Sequence, residues 1–513
     1  MTDGSPIAVV FKPGVRRDGT TFDGEDYHVE AEWCRWHEGR PRKMGGFRAI
    51  YEDLTEIVRG INSHPADDNL FVHLGSAGVL LRLIFNVNSY VIAGVATRTP
   101  TGLTSSANNL WQFDQMYDAS ASFTAGTTRI VAHAAPNALD IASDTAAPVY
   151  TGDITDTAAL TPVASSDVSG GVVSLFPYLL AYGSDGLVRQ SVANKPMDLT
   201  GPGSNIARVT SKKIVKGLML RGGAGNAPSG LLWSLDSIIR ASFVGGGPVF
   251  SYDSMSNQNG ILAANSVVEH DGVYYWVGLG RFMMFNGLVR ELPNDLNSNF
   301  FFDNLNWPHR NKVFAFKVPR YGEIWWCFPK VPSTEPNWAV IKNLKADTWY
   351  DTELPNTGRS AAENAASYRF PLVAGVQATD SAYTLWQHET GVDEVAGVPV
   401  QTRAIRSYYR TPEFAVVPPQ NRTVSSGMFE PDFVQTGSMT VRLIGRPNPR
   451  AEQTVGDPQT FIAGPTNTPA EQFVNFKRVN RLASLEFESN VAGGFYQAGK
   501  PLWHVQPDGA RST

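Results

Sequence analysis

The feature that most constrains this chain is a recurrence. Paired apolar runs, each broken by a short turn, return along most of its length. The clearest copy is 269-EHDGVYYWVGLGRFMMFNGLVRELP-293, two aromatic-rich runs separated by Gly278-Leu279-Gly280. Weaker copies occupy 70–85, 128–141, 172–192, 214–243, 313–329 and 370–389. Each reads as one apolar strand, a turn of Gly, Asn, Asp or Pro, and a second strand. The copies recur at a spacing of roughly 40–58 residues, the length of about four short strands.

One small sheet cannot bury both faces alone. Stacking such sheets radially buries the faces and leaves only short edges exposed. The expected fold class is therefore all-β: a β-propeller of six or seven blades over 56–400, plus a smaller C-terminal module. Tyr274, Tyr275, Trp276, Phe282 and Phe285 are expected to pack between blades rather than around a ligand. Residues 101–126 and 144–170, rich in Ala, Ser, Thr, Asp and Gly, read as loops or insertions. From 401 the pattern shifts to longer alternating strands, apolar on one face and wet on the other, so 401–513 is expected to be a β-sandwich-like module. Residues 1–55 are expected to close or brace the propeller.

Composition narrows the function. Hydrophobic residues make up 42 % of the 513 and charged residues only 18 %, so the chain can bury large cores and is no disordered polyelectrolyte. A net charge of −5 argues against a nucleic-acid binder that grips phosphates through a basic face. It leaves room for a protein that lets a polyanion pass. Two cysteines, Cys34 and Cys327, allow no disulfide framework. The N-terminus lacks the apolar core of a signal peptide, and no run approaches the roughly 20 residues of a membrane helix. A soluble protein made in a cytoplasm is the expectation.

Catalytic motifs are missing. There is no P-loop, HExxH or GxSxG. The Gly-rich 222-GGAGNAPSG-230 lacks the Lys-Ser/Thr of a phosphate cradle and reads as a hairpin loop. Cys34 and His37 are the best local metal-ligand pair, without a second pair nearby. Asp23, Glu25 and Asp26 lack the spacing of a calcium loop. Fragments of sialidase-type turns occur at 184-SDG-186 and 346-ADTW-349, and Asp236, Asp271 and Glu323 are the carboxylates a glycan hydrolase would draw on. No catalytic, cofactor-binding or metal residue is assigned. The basic stretch Arg35, Arg40, Arg42, Lys43 and Arg48 reads as an interface or a solvated turn ahead of a nucleic-acid contact.

Several stretches resemble one family. Residues 39-GRPRKMGGFR-48, 266–293, 382-AYTLWQHETGVD-393, 401-QTRAIRSYYRTPEF-414 and 482–511 are similar in style and order to tail nozzle or tail hub proteins of short-tailed bacteriophages, also called packaged-DNA stabilisation proteins. The chain departs from that pattern at Met44-Gly45-Gly46, where Arg-Pro-Gly would stand. The resemblance implies a structural virion protein without catalysis or cofactor. It implies a homo-oligomeric ring of six copies in the virion tail, assembled in the host bacterial cytoplasm. Portal and adaptor proteins, tail fibres or spikes, and viral DNA passing without sequence-specific binding would be its partners. A tail adaptor or receptor-binding virion protein is the alternative, and a propeller glycan hydrolase a lesser one.

Overall fold

The computed structural model describes residues 5–510, apart from 21, 25, 108, 121–125, 136–144, 164, 166, 222–226, 366, 377–382, 416–421 and 465–472. Regular structure is nearly all β; among the described residues the α-helix is the seven-residue Ser298–Asn304. No helix among them is long and apolar enough to cross a membrane.

Between residues 60 and 363 the chain lays down successive sheets, each an antiparallel meander. The first runs from Gly60–Ala66 to Val91–Thr97, the second from Leu110–Asp118 to Thr161–Val163, and the third from Gly171–Leu175 to Asn205–Arg208. The fourth runs from Ile214–Met219 to Phe250–Ser256, the fifth from Val268–His270 to Val289–Glu291, and the sixth from Phe314–Val318 to Thr348–Glu353. The seventh is assembled from both parts of the chain. Arg359–Glu363, Leu372–Val376 and Tyr383–His388 are joined by Phe47–Leu54 as fourth strand, and the hairpin Asp393–Ala396 and Gln401–Ala404 extends it to six. Each of the seven runs singled out in the sequence falls in a different one of these sheets; residues 136–141, 222–226 and 377–382 of those runs lie outside the described residues.

The first strand of each sheet lies beside its neighbours' first strands. Gly60–Ala66 touches both Leu110–Asp118 and Arg359–Glu363, so the series returns to its start. Between the fourth and fifth sheets the turn Ala264–Ser266 intervenes, touching the first strands of the fourth and sixth sheets.

The fifth sheet shows why these sequences form such layers. Its first hairpin turns on Asp271 (φ 51°) and Gly272 (φ 79°), the left-handed pair that a two-residue hairpin requires. The next strand then alternates between two faces. Tyr274 and Trp276 point to the fourth sheet, each about 6 Å from Trp233 (6.0 and 5.9 Å). Tyr275 and Val277 point to the sixth sheet. On the facing strand Phe282 reaches Trp326 and Trp349 at 5.0 and 4.8 Å. All are buried.

The expectation that 101–126 and 144–170 are loops is corrected. Leu110–Asp118, Val149–Asp153 and Thr161–Val163 are strands of the second sheet. Small residues there disguise an apolar alternation whose core residues are Trp111, Met116, Val149 and Tyr150.

The N-terminal residues divide their pairing. Phe47–Leu54 belongs to the seventh sheet. Upstream of it, Ser5–Ala8 pairs with Leu502–Ala510, Glu30–Glu32 with Ser407–Arg410, and Arg40–Lys43 with Phe495–Ala498. Strands from 5–43 and from 407–510 therefore share sheets. One continuous core runs through them into the sixth and seventh sheets, with Trp33, Trp36, Phe47, Trp325, Trp386 and Phe487 among its members.

Candidate functional site

Two clusters of charged side chains are drawn into the protein. The first lies on the first strands of the sheets, where they face one another. Asp114 comes from the second sheet, Lys216 from the fourth, Lys317 from the sixth, and Ser63 and Glu363 from the first and seventh. Asp114 accepts the backbone N–H of Ser174 at 2.7 Å and that of Gln115 at 2.8 Å. The Gln115 amide donates to Asn62 Oδ1 at 3.0 Å and to the Ser63 carbonyl at 2.9 Å, and its oxygen lies 2.8 Å from His64 Nδ1. Lys317 Nζ donates to the Glu269 carbonyl at 2.8 Å and stands 3.4 Å from its carboxylate.

These groups are partly reachable by water yet crowded by protein on every side. Burial pushes the Asp114 carboxyl up to about 6, against the two backbone donors and Lys216. Burial pushes Glu363 up to about 7, against Lys216, Ser63 and Lys317 and with help from Asp114. Burial lowers Lys216, opposed by Asp114 and Glu363. For Glu269 burial acts upward, but the Gly272 N–H, Lys317 and Arg221 outweigh it and hold the carboxyl below its usual range. Chemically this is a proton-holding unit of compensated charges. Further along the same strands, cavities of about 20 and 10 Å³ lie against Gln112, Lys213 and Val215, and against Asn109 and Phe314. Each has room for about one water.

The second cluster joins the N-terminal segment to the sixth and seventh sheets. Arg35 grips Glu323 through Nε and Nη2 at 2.8 and 3.0 Å, and Glu389 through Nη1 and Nη2 at 2.7 and 2.6 Å. Tyr350 and Trp325 also donate to Glu323, at 2.5 and 2.9 Å. The Tyr321 ring covers the guanidinium at 3.8 Å. Burial drives the Glu323 carboxyl up and Arg35 pulls it back, with Tyr350 and Trp325. Four donors on two oxygens are the setting of an ionised carboxylate.

The sequence candidates disperse. Asp236 bonds Ser234 at a turn of the fourth sheet, Asp271 is exposed at its hairpin turn in the fifth, and Glu323 sits in the Arg35 clamp. Cys34 and His37 are three apart on one strand, so they face opposite ways. Burial raises the Cys34 thiol to about 12. Among the described residues no three His, Cys, Asp or Glu are grouped to hold a metal ion. Asp26 and Asp23 pair with Lys12 and Arg16 at 2.6 and 3.4 Å; Glu25 and 222–226 lie outside the described residues.

The reading of the basic stretch as interface or solvated turn is corrected at two positions. Arg35 and Lys43 are buried within the chain, Lys43 Nζ donating to the Gly494 carbonyl at 2.8 Å. Arg42 is half-buried and bonds Gln497 at 3.2 Å, Arg40 is half-buried, and Arg48 is exposed.

Sequence reasoning missed Asp114, Lys216 and Glu363. Each is a lone charge inside an apolar or alternating run, the same signal that a solvated strand face gives.

No protein-family model matches the chain, and no curated protein matches it.

Proposed function

We propose that the protein is a structural component of a bacteriophage tail, a nozzle or hub that forms a ring of six copies around the DNA exit, retains the packaged genome and lets it leave at ejection. On this reading the seven sheets are the blades of a propeller, and strands from 5–43 and 407–510 form the β module beside it. The observation that carries the proposal is the use made of charge and aromatic surface. Trp, Tyr and Phe are spent on packing sheet against sheet, and the charged clusters bind the chain to itself. The molecule is built as a wall. The resemblance to tail nozzle proteins supplies what the wall would surround.

On this reading Asp114, Lys216 and Glu363 crowd the propeller's centre, and water-sized cavities lie further along the same strands. DNA would therefore pass between copies, outside each propeller, which suits a chain of net charge −5 that does not hold phosphates.

One observation favours a second reading. Asp114 and Glu363 are raised carboxyls at the centre of the sheets, where a propeller glycan hydrolase would place its acid and base. Electron microscopy of the full chain separates the readings. A six-fold ring with a central hole supports the nozzle, and a trimer supports a receptor-binding protein. A monomer that cleaves glycans and loses that activity in Glu363→Gln supports the hydrolase.

A further inference from the structure

A sheet edge presents a row of unpaired N–H and C=O groups that will accept another strand unless it is short, charged or covered. Five of the seven sheets, the second to the sixth, deal with their outer edge. Thr161–Val163 in the second is three residues long and contains Pro162. Those of the third, fourth and fifth carry Arg208, Asp253, and Arg290 with Glu291. The edge of the sixth is overlaid by the N-terminal segment, through Thr348 Oγ1 to the Pro13 carbonyl at 2.6 Å and Arg17 to Asp351 at 2.9 Å. The fourth strand of the seventh is covered by the hairpin 393–404.

The first sheet is the exception. Val91–Thr97 is seven residues long, holds no charge and no proline, and is the outermost strand of its sheet. Its residues alternate strictly, with Val91 56 % and Val95 47 % exposed. The hairpin on the seventh sheet is exceptional in the opposite way. It carries that sheet two strands beyond the usual four, and its tip Gly397-Val398-Pro399-Val400 projects with Val398 94 % and Val400 68 % exposed. Its outer strand Gln401–Ala404 has no partner on its far side among the described residues. The molecule thus offers one unprotected apolar edge and one projecting strand with an apolar tip. The chain already completes its own sheets by adding strands, as Phe47–Leu54 does in the seventh.

We infer that these two surfaces are the halves of one contact between copies: the hairpin 393–404 of one copy adds its outer strand to Val91–Thr97 of the next, seating Val398 and Val400 against Val91 and Val95. The inference rests on the ring reading. Such a contact joins two different surfaces, the kind of interface that closes into a ring.

The test uses full-length chains and native mass spectrometry. Val95→Lys charges the edge, and the double change Val398→Asp with Val400→Asp charges the tip. All three side chains are solvent-exposed, and circular dichroism checks that the fold is kept. Each variant alone is expected to be monomeric where the unaltered protein forms rings. Mixed together, they are expected to give one-to-one dimers and nothing larger, because one intact edge meets one intact hairpin. If rings persist in either variant, or if the mixture stays monomeric, the inference is overturned while the ring reading stands. If the unaltered protein is itself monomeric, the ring reading falls and the inference with it.

Discussion

Replacing Arg35 with leucine removes the cation that holds Glu323 and Glu389 together. Glu323 is fully buried, and without Arg35 it keeps only Tyr350 and Trp325 as donors. Removing one partner of a buried ion pair typically costs about 3–5 kcal/mol, because the other charge is left unpaired. The cost depends on pH in a stated direction. Burial already drives the Glu323 carboxyl up, and Arg35 is the largest influence pulling it down. In the variant its folded pKa stands further above the unfolded value, so the folded state holds a proton that the unfolded state gives up. That stabilisation is present at low pH and is lost as pH rises through the raised pKa. Urea unfolding at pH 5 and pH 8 is therefore expected to show a larger loss for Arg35→Leu at pH 8. Adding Glu323→Gln to the variant should recover part of the loss at pH 8 and little at pH 5. A loss under about 1 kcal/mol at both pH values, far below that expected for a broken buried pair, would refute the reasoning and make the clamp a surface-like contact.

Glu363→Gln is expected to behave in the same sense at the centre of the sheets. Its carboxyl is raised from 4.5 to about 7, so the native protein loses stability as pH rises through that range, and the variant should gain up to about 3 kcal/mol at pH 8 and nothing near pH 4, read from unfolding midpoints. Trp276→Ala should cost about 3–5 kcal/mol by opening the interface between the fourth and fifth sheets, measured by the same unfolding curves. Cys34 and Cys327 are buried with raised pKa values, so a thiol reagent should label neither at pH 8 until denaturant is added.

The seven sheets were legible because their signals are local. Asp271-Gly272 marks a hairpin, Gly278 to Arg281 marks the next turn, and Tyr274 to Val277 alternates between two buried faces. The second sheet was half hidden because Ala, Ser and Thr dilute that alternation between 101 and 170. Strand partners far apart in sequence were not legible at all. Nothing local in Phe47–Leu54 tells that it pairs with Tyr383–His388, or that Ser5–Ala8 pairs with Leu502–Ala510. The basic stretch misled for the same reason: the carboxylates that bury Arg35 lie at 323 and 389. Lys216 interrupts the apolar run 214-IVKGLML-220 as a single charge with no partner nearby in sequence, and only the meeting of the first strands makes it part of a charge cluster.

The central claim is that this chain builds a ring wall. Electron microscopy of the purified full-length protein tests it most directly. The account predicts six-fold rings with an open centre, propellers arranged around the hole and each propeller's own axis closed. Isolated monomers, with glycan-cleaving activity that Glu363→Gln abolishes, would contradict it.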